Sequence, residues 1–203
     1  MGHQETEFLK GEGNAWHRRN VDKPRRLPIV EATKSLPIPK KAIEFGCGDG
    51  LNIGYINVAY ECEAVGIDPS DEAIASARKT YPKVKFITGT ASYRFLLKEY
   101  DLVIYGFCLY LCDRDTLSHV VAVGDFALNN FGYLIIHDFD PECPHKVPYH
   151  HKAGLFSYKM DYSKLWLSNP AYSLVSKTVI PDGTAVWVLK KNIAAGWPEE
   201  TLT

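Results

Sequence analysis

The sequence predicts an α/β domain with a doubly wound sheet: five parallel strands plus a C-terminal antiparallel hairpin, seven strands in all, with helices on both faces. Three observations carry this. From Ala42 to His137, short apolar runs of strand length alternate with amphipathic segments of helix length. The first strand runs into Glu44-Phe45-Gly46-Cys47-Gly48-Asp49-Gly50, an acid followed by three alternating glycines. Near the C-terminus, Pro181-Asp182-Gly183 separates two β-rich runs, a hairpin signal. Strands that alternate with helices pair in parallel and are covered on both faces, because each crossover lays a helix on the sheet. A chain of 203 residues can bury one core of this kind.

Residues 1–26 are polar with scattered Phe8, Leu9 and Trp16, which predicts a short helix or two. A basic stretch follows, punctuated by Pro24, Pro28, Pro37 and Pro39, the last two leading into the first strand at Ala42–Phe45. Leu51–Ala59 reads as a helix and Ala64–Ile67 as a strand. The next helix spans Ser70–Tyr81, with Ser70 as its N-cap and Asp71 and Glu72 in the first turn, where the helix dipole favours carboxylates. Val84–Ile87 is a strand, Ser92–Lys98 a short helix and Leu102–Tyr105 a strand. Arg114–Leu128 is an amphipathic helix with Leu117, Val120, Val121 and Phe126 among its apolar positions, and Gly132–His137 is the fifth strand. Residues 138–169 are loop-rich and aromatic, and Tyr172–Ile180 and Thr184–Leu189 form the hairpin. The chain thus divides into an N-terminal helical extension (1–39), a main domain (40–192) with an insertion at 138–170, and a tail (193–203).

Composition excludes several classes. Net charge is -1, so no overall field draws nucleic acid or an anionic membrane. No apolar run is long enough to span a bilayer. The polar start, Met1 to Glu7, lacks the features of a secretory signal. Five cysteines make an odd set without framework spacing, which favours reduced thiols and a cytoplasmic protein. Monomer and homodimer are both compatible with the sequence.

The glycine run departs from the dinucleotide fingerprint Gly-x-Gly-x-x-Gly. Counting from Gly46, the third glycine would fall at Leu51. No Gly-Lys-Ser/Thr follows, so it is not a P-loop. The spacing here is Glu-x-Gly-x-Gly-x-Gly, and the acid favours a cationic ligand over an anionic one. About 20 residues on, Gly66-Ile67-Asp68-Pro69-Ser70 carries an acid where such folds hold both ribose hydroxyls. Gly89-Thr90-Ala91-Ser92 follows the third strand as an adenine-edge loop, and Tyr105-Gly106-Phe107 ends the fourth. All four marks fall at the C-terminal ends of strands, where open α/β sheets bind ligands.

On these residues the chain resembles the class I S-adenosylmethionine-dependent methyltransferases, which have a Rossmann-like sheet, over about residues 40–140. The resemblance implies S-adenosylmethionine as cofactor, S-adenosylhomocysteine as product and a small-molecule methyl acceptor as partner. It implies cofactor contacts from the loop residues Glu44, Gly46, Cys47, Gly48, Gly50 and Asn52, with Glu44 near the cationic amino-acid end. It extends these to Asp68 and Pro69 at the ribose, Thr90 and Ala91 at the adenine, and Tyr105 and Phe107 after the fourth strand.

The ends of the chain carry a narrower likeness. Thr6-Glu7-Phe8-Leu9-Lys10-Gly11-Glu12, then Arg18-Arg19-Asn20, resembles the start of methyltransferases of pseudaminic acid and related surface-sugar pathways, with Leu9 where that group has Trp. Val147-Pro148-Tyr149-His150-His151, Leu155-Phe156 and Asp161-Tyr162 are similar to the same group's region after the fifth strand. This implies that Trp16, Arg19 and Asn20 fold over the cofactor as a lid, and that the acceptor is a sugar or sugar-nucleotide intermediate of surface polysaccharide biosynthesis. An ordinary N-terminal helix packing one Trp accounts for the same residues.

Methyl transfer is an in-line displacement, so most of its catalysis is positioning and exclusion of water; a hydroxyl or amine acceptor can also need a base. His137-Asp138-Phe139-Asp140 and His145, His150 and His151 are the supply. Strand alternation points His137 and Phe139 to one side and Asp138 and Asp140 to the other. Asp138 and His151 are the expected base or acceptor contacts, against the plainer readings of a loop cap and a solvent-facing pair. No His-x-x-x-His or paired-carboxylate spacing supports a metal, and none is expected. Cys108 and Cys112 read as core or pocket lining. Tyr105, Phe107, Tyr110 and Trp16 offer ring faces equally to a sulfonium or to the core. Three other functions compete. An RNA or protein methyltransferase would use the basic 18–41 segment, but the fourth strand ends in Tyr-Gly-Phe-Cys rather than Asn/Asp-Pro-Pro-aromatic, and no Pro-Cys is present. The spacing at Leu51 disfavours a nicotinamide oxidoreductase, and the intact acid and glycines disfavour a non-catalytic cofactor-binding module.

Overall fold

The computed structural model describes residues 2–93 and 99–192. Most of the expected helix at Ser92–Lys98, and the tail 193–203, lie outside the described residues. In chain order the strands are β1 (Lys41–Phe45), β2 (Glu63–Asp68), β3 (Lys85–Thr88), β4 (Tyr100–Gly106), β5 (Leu128–Phe139), β6 (His145–Pro148), β7 (Phe156–Lys159), β8 (Tyr172–Ile180) and β9 (Thr184–Lys191). The α-helices are α1 (His3–Glu7), α2 (Gly13–Asn20), α3 (Pro28–Thr33), α4 (Leu51–Tyr60), α5 (Asp71–Thr80), α6 (Leu117–Ala127) and α7 (Lys164–Leu167).

Seven strands form one sheet in the order β3-β2-β1-β4-β5-β9-β8. The first five are parallel, and β9 runs antiparallel between β5 and β8. The last strand therefore inserts into the sheet and leaves its hairpin partner at the edge. Composition explains this choice. Ala185-Val186-Trp187-Val188-Leu189 is apolar on both faces and is buried throughout. In β8, Ser173, Ser176, Lys177 and Thr178 tolerate the solvent that an edge strand meets. Side chains alternate between two cores. Ile43, Phe45, Val103 and Tyr105 pack on the α6 face, and Ala42, Ile53, Ile56 and Ile74 on the α3–α4–α5 face.

Ser70 caps α5 as expected, its hydroxyl accepting from the Ala73 N–H at 3.0 Å. Three elements depart from expectation. Helix α3 was not anticipated; Pro28 stands in its first turn, where a missing N–H costs nothing. The 138–169 region contains the small β6–β7 hairpin. The amphipathic segment at 114–128 begins as a 3₁₀ turn over Arg114–Thr116 before α6.

The N-terminal extension is tied to the rest of the fold. A kink at Gly11, φ 140°, lets α1 and α2 change direction. The carboxylate of Asp113 accepts from the N–H groups of Gln4 (3.0 Å) and Glu5 (2.9 Å), and so caps α1 from a distant loop. The Gln4 side chain donates to the Leu111 carbonyl at 2.8 Å and accepts from the Phe156 N–H at 2.6 Å. Asp113→Ala removes both cap acceptors, which should cost about 1–2 kcal/mol and free this segment locally. Limited proteolysis within residues 2–20 should accelerate in that variant; an unchanged rate would show that the cap does not hold the extension.

Candidate functional site

A cavity of about 250 Å³ opens at the C-terminal ends of the parallel strands. Its floor is the glycine loop. The N–H groups of Gly46 and Cys47 both donate to the Ile67 carbonyl, at 2.8 and 3.1 Å, which fixes the loop across β2. Gly46, Cys47, Gly48 and Asn52 line the cavity. Gly48 sits at φ 54°, and a β-carbon there would meet nothing within 4 Å. Gly50, at φ 81°, is different: its β-carbon would lie 2.6 Å from the Phe86 ring. It is not part of the cavity wall and serves the turn into α4, a correction to its expected contact role.

Asp68 lines the cavity at the end of β2. One carboxylate oxygen accepts from the Gly48 N–H and the other from the Ser70 N–H, both at 2.9 Å. Each oxygen keeps a lone pair for a further donor. Burial pushes this carboxyl up to about 6, against the pull of the two backbone donors.

Glu44 occupies a different place from the one expected. It is fully buried beneath the loop and does not line the cavity. Its oxygens accept from the Asn52 side-chain amide at 2.9 Å and from the Ile53 N–H at 3.1 Å, at the start of α4. Its influence on a ligand therefore passes through Asn52. Burial pushes the Glu44 carboxyl up to about 8. A folded-state value above the unfolded one means that the native state holds the proton more tightly; that stability is complete below the unfolded value of 4.5 and is lost as pH rises toward 8. Glu44→Gln should thus gain on the order of 1–3 kcal/mol at pH 8 and little at pH 4, with Asn52 turning its amide to match. Denaturant melts at the two pH values check this; equal effects at both would show that Glu44 is not held protonated.

In the loop after β3, Thr90 and Ala91 line the cavity, as does Pro69 beside Asp68. Glu5 joins them, accepting from the hydroxyls of Thr90 and Ser92. Trp16 forms part of the wall. The other two residues expected in a lid, Arg19 and Asn20, do not line the cavity. Arg19 binds Glu12 and the Tyr149 hydroxyl, and the Asn20 amide donates to the Trp16 carbonyl. Phe107 lines the cavity at φ 55°, a left-handed conformation that a bulky residue adopts only when its surroundings hold it there. Tyr105 belongs to the core: it is fully buried, stacked on Phe45, with its hydroxyl donating to the Val120 carbonyl at 2.7 Å.

Neither expected acceptor residue is in the cavity wall. Asp138 is buried and accepts from the N–H groups of Phe139 (2.8 Å) and Tyr110 (3.2 Å), so it caps the turn after β4. His151 is exposed at the surface against Tyr149. No residue of 138–170 lines the cavity; that segment packs behind the wall. Wall residues outside the expected set include Glu5, Arg25, Arg26 and Asp113, and His137, named only within the supply of candidate bases, joins them. For His137 the signal existed, since alternation sets it opposite Asp138. Arg25 forms a bidentate pair with Asp49 of the glycine loop. Elsewhere in the basic segment, Arg18 pairs with Glu72, Lys34 with Glu31 and Lys41 with Glu63, which disperses any field for an RNA backbone.

Residues 42–123, which hold the glycine loop, Asp68 and Phe107, match a family model described as a methyltransferase domain. Protein 235L of Invertebrate iridescent virus 6, named as a methyltransferase, is 35% identical over 85 residues, covering 41% of this chain and 32% of the relative. Trans-aconitate 2-methyltransferase of Acidovorax ebreus is 32% identical over 72 residues, 34% of this chain and 28% of the relative. The matches thus span under a third of either relative's length. Likeness of fold extends further than likeness of sequence. The 1,6-didemethyltoxoflavin-N1-methyltransferase of Burkholderia thailandensis, solved with 1,6-didemethyltoxoflavin and S-adenosylhomocysteine, superposes with a TM-score of 0.77 over 95% of this chain and 91% of its own, at 16% identity. Among the described residues, no helix is long and apolar enough to cross a membrane.

Proposed function

We propose that the chain transfers a methyl group from S-adenosylmethionine to a small-molecule acceptor. The observation that carries this reading is the coupling of Gly48 to Asp68. The same carboxylate that receives the Gly48 N–H lines the cavity beside a glycine whose missing side chain leaves open space. That arrangement fits a nucleoside: Asp68 accepts the two ribose hydroxyls, and Gly48 lets the ligand lie against bare backbone. Asn52, oriented by Glu44, faces the amino-acid end. Thr90, Ala91 and Glu5 face the base, where Glu5 offers an acceptor for its exocyclic amine. When bound, the cofactor supplies a methyl group on a cationic sulfur, which leaves as a neutral thioether. The residues of the chain bind and orient the reactants and keep water out.

Calorimetry should detect binding of S-adenosylhomocysteine and none of NADH; the opposite pair of results would overturn the reading. The likeness of both ends of the chain to surface-sugar methyltransferases favours a sugar or sugar-nucleotide acceptor. A labelled-methyl screen of nucleotide sugars, phenols, amines and RNA tests this, and transfer to RNA alone would reject it.

A further inference from the structure

We infer that His137 is the catalytic base and that the acceptor atom carries a proton to lose: a hydroxyl, a phenol or an N–H group, and not a carboxylate. This rests on the methyl-transfer reading above. The argument starts from register. In the antiparallel β5–β9 pair, His137 lies opposite Val186 and Phe139 opposite Thr184. His137 and Thr184 are therefore diagonal neighbours on one face of the sheet. The Thr184 hydroxyl lies 2.6 Å from an oxygen of Asp182 and 3.2 Å from Nε2 of His137. A hydroxyl has one proton, and a carboxylate can only receive it. The Thr184 oxygen must then accept at its other contact, so Nε2 of His137 bears the hydrogen. In the neutral ring this leaves the lone pair on Nδ1.

His137 lines the cavity, and its ring lies 5.3 Å from that of Phe107, whose N–H donates to the His137 carbonyl at 2.9 Å. Burial holds the ring below the ordinary imidazole value, so it stays neutral and basic at pH 7. The charged groups around it are Asp182 from the β8–β9 turn and Arg26 from the N-terminal linker. Asp140 on its own strand is paired with Lys177. The carboxylates of the described cavity wall have other partners in the fold: Glu5 holds Thr90 and Ser92, Asp68 holds Gly48 and Ser70, and Asp113 holds α1.

The step balances without another reactant. A lone pair of the acceptor atom forms the bond to the methyl carbon, and the carbon–sulfur bond breaks with its pair left on sulfur. The proton of the acceptor moves to Nδ1 of His137. The positive charge thus passes from sulfur to an imidazolium whose Nε2–H points through Thr184 to Asp182. A carboxylate acceptor has no such proton and would leave this relay without a task.

The first test needs no acceptor. Nitrogen-15 NMR of the apoprotein should show His137 as the Nε2–H tautomer, titrating below 6.5, and Thr184→Val should remove that preference. An Nδ1–H tautomer in the unaltered protein would overturn the inference. The second test uses labelled S-adenosylmethionine with UDP-N-acetylglucosamine, catechol and imidazole as protic probes and trans-aconitate as the carboxylate. Transfer should favour a protic probe; a preference for trans-aconitate would reject the assignment. With the best protic probe, His137→Gln should lower kcat about 10²–10⁴-fold and abolish the acid limb of the pH profile. Binding of S-adenosylhomocysteine should change by less than about twofold, as expected for a group that acts only in the transition state. Unchanged kcat with retained binding would overturn the inference. Failure of the unaltered protein to bind S-adenosylhomocysteine would instead defeat the methyl-transfer reading beneath it.

Discussion

Gly48→Ala should leave the protein folded and weaken S-adenosylhomocysteine binding about 100-fold, which is close to 3 kcal/mol. The added methyl group clashes with no protein atom, since no atom lies within 4 Å of its position. The folded state bears only the cost of an alanine at φ 54°, about 1–2 kcal/mol. For a chain of this size that lowers Tm by roughly 2–8 °C. The loss of binding comes from the methyl group occupying space that the ligand needs. Gly50→Ala provides the contrast, because its methyl group would strike the Phe86 ring and overpack the core by about 1–3 kcal/mol. One variant should lose the ligand and keep the fold, and the other should lose stability first. Normal affinity in Gly48→Ala would remove the glycine loop from the binding site.

The second large effect is expected at Asp68. Asp68→Asn places an amide N–H against one of two backbone donors, from Gly48 or Ser70, and weakens the acceptors for the ribose. Charge-assisted hydrogen bonds contribute about 1.5–3 kcal/mol each, so losing two should cost about 10²–10³-fold in affinity or more. The pH dependence separates this from general damage. The ionised carboxylate is the form that accepts from four donors, and in the free protein its value is raised to about 6. Affinity should therefore be steady above that value and fall as pH drops through it, while Asp68→Asn should be flat across the same window. A wild-type affinity that holds steady to pH 4.5 would argue against Asp68 as the ribose acceptor.

Much of the fold was legible because its signals are local. The five strands and the described helices α4, α5 and α6 follow from apolar periodicity, and the Ser70 cap from residues three apart. The hairpin at Pro181-Asp182-Gly183 was equally readable. The insertion of β9 beside β5 depends on a strand apolar on both faces finding an open sheet edge far away in sequence. The small β6–β7 sheet was missed because its strands are short and carry little alternation; His145 and Lys146 lie exposed in the first of them.

The candidate site divides along the same line. By itself the sequence determined the floor of the cavity. Gly46, Gly48 and Asp68 are fixed by spacing from strand ends, and strand ends are local. Only the tertiary structure decided what each side chain faces. It buried Glu44 under α4, bonded to Asn52, and left Asn52 in the cavity wall. It turned Asp138 inward as a cap and left His137 in the wall. It also brought Glu5 to Thr90 and Thr184 to His137. Hydrogen bonds between residues so far apart in the chain leave no periodicity in it. They arise when packing sets two polar groups side by side, away from water, where each must find a partner.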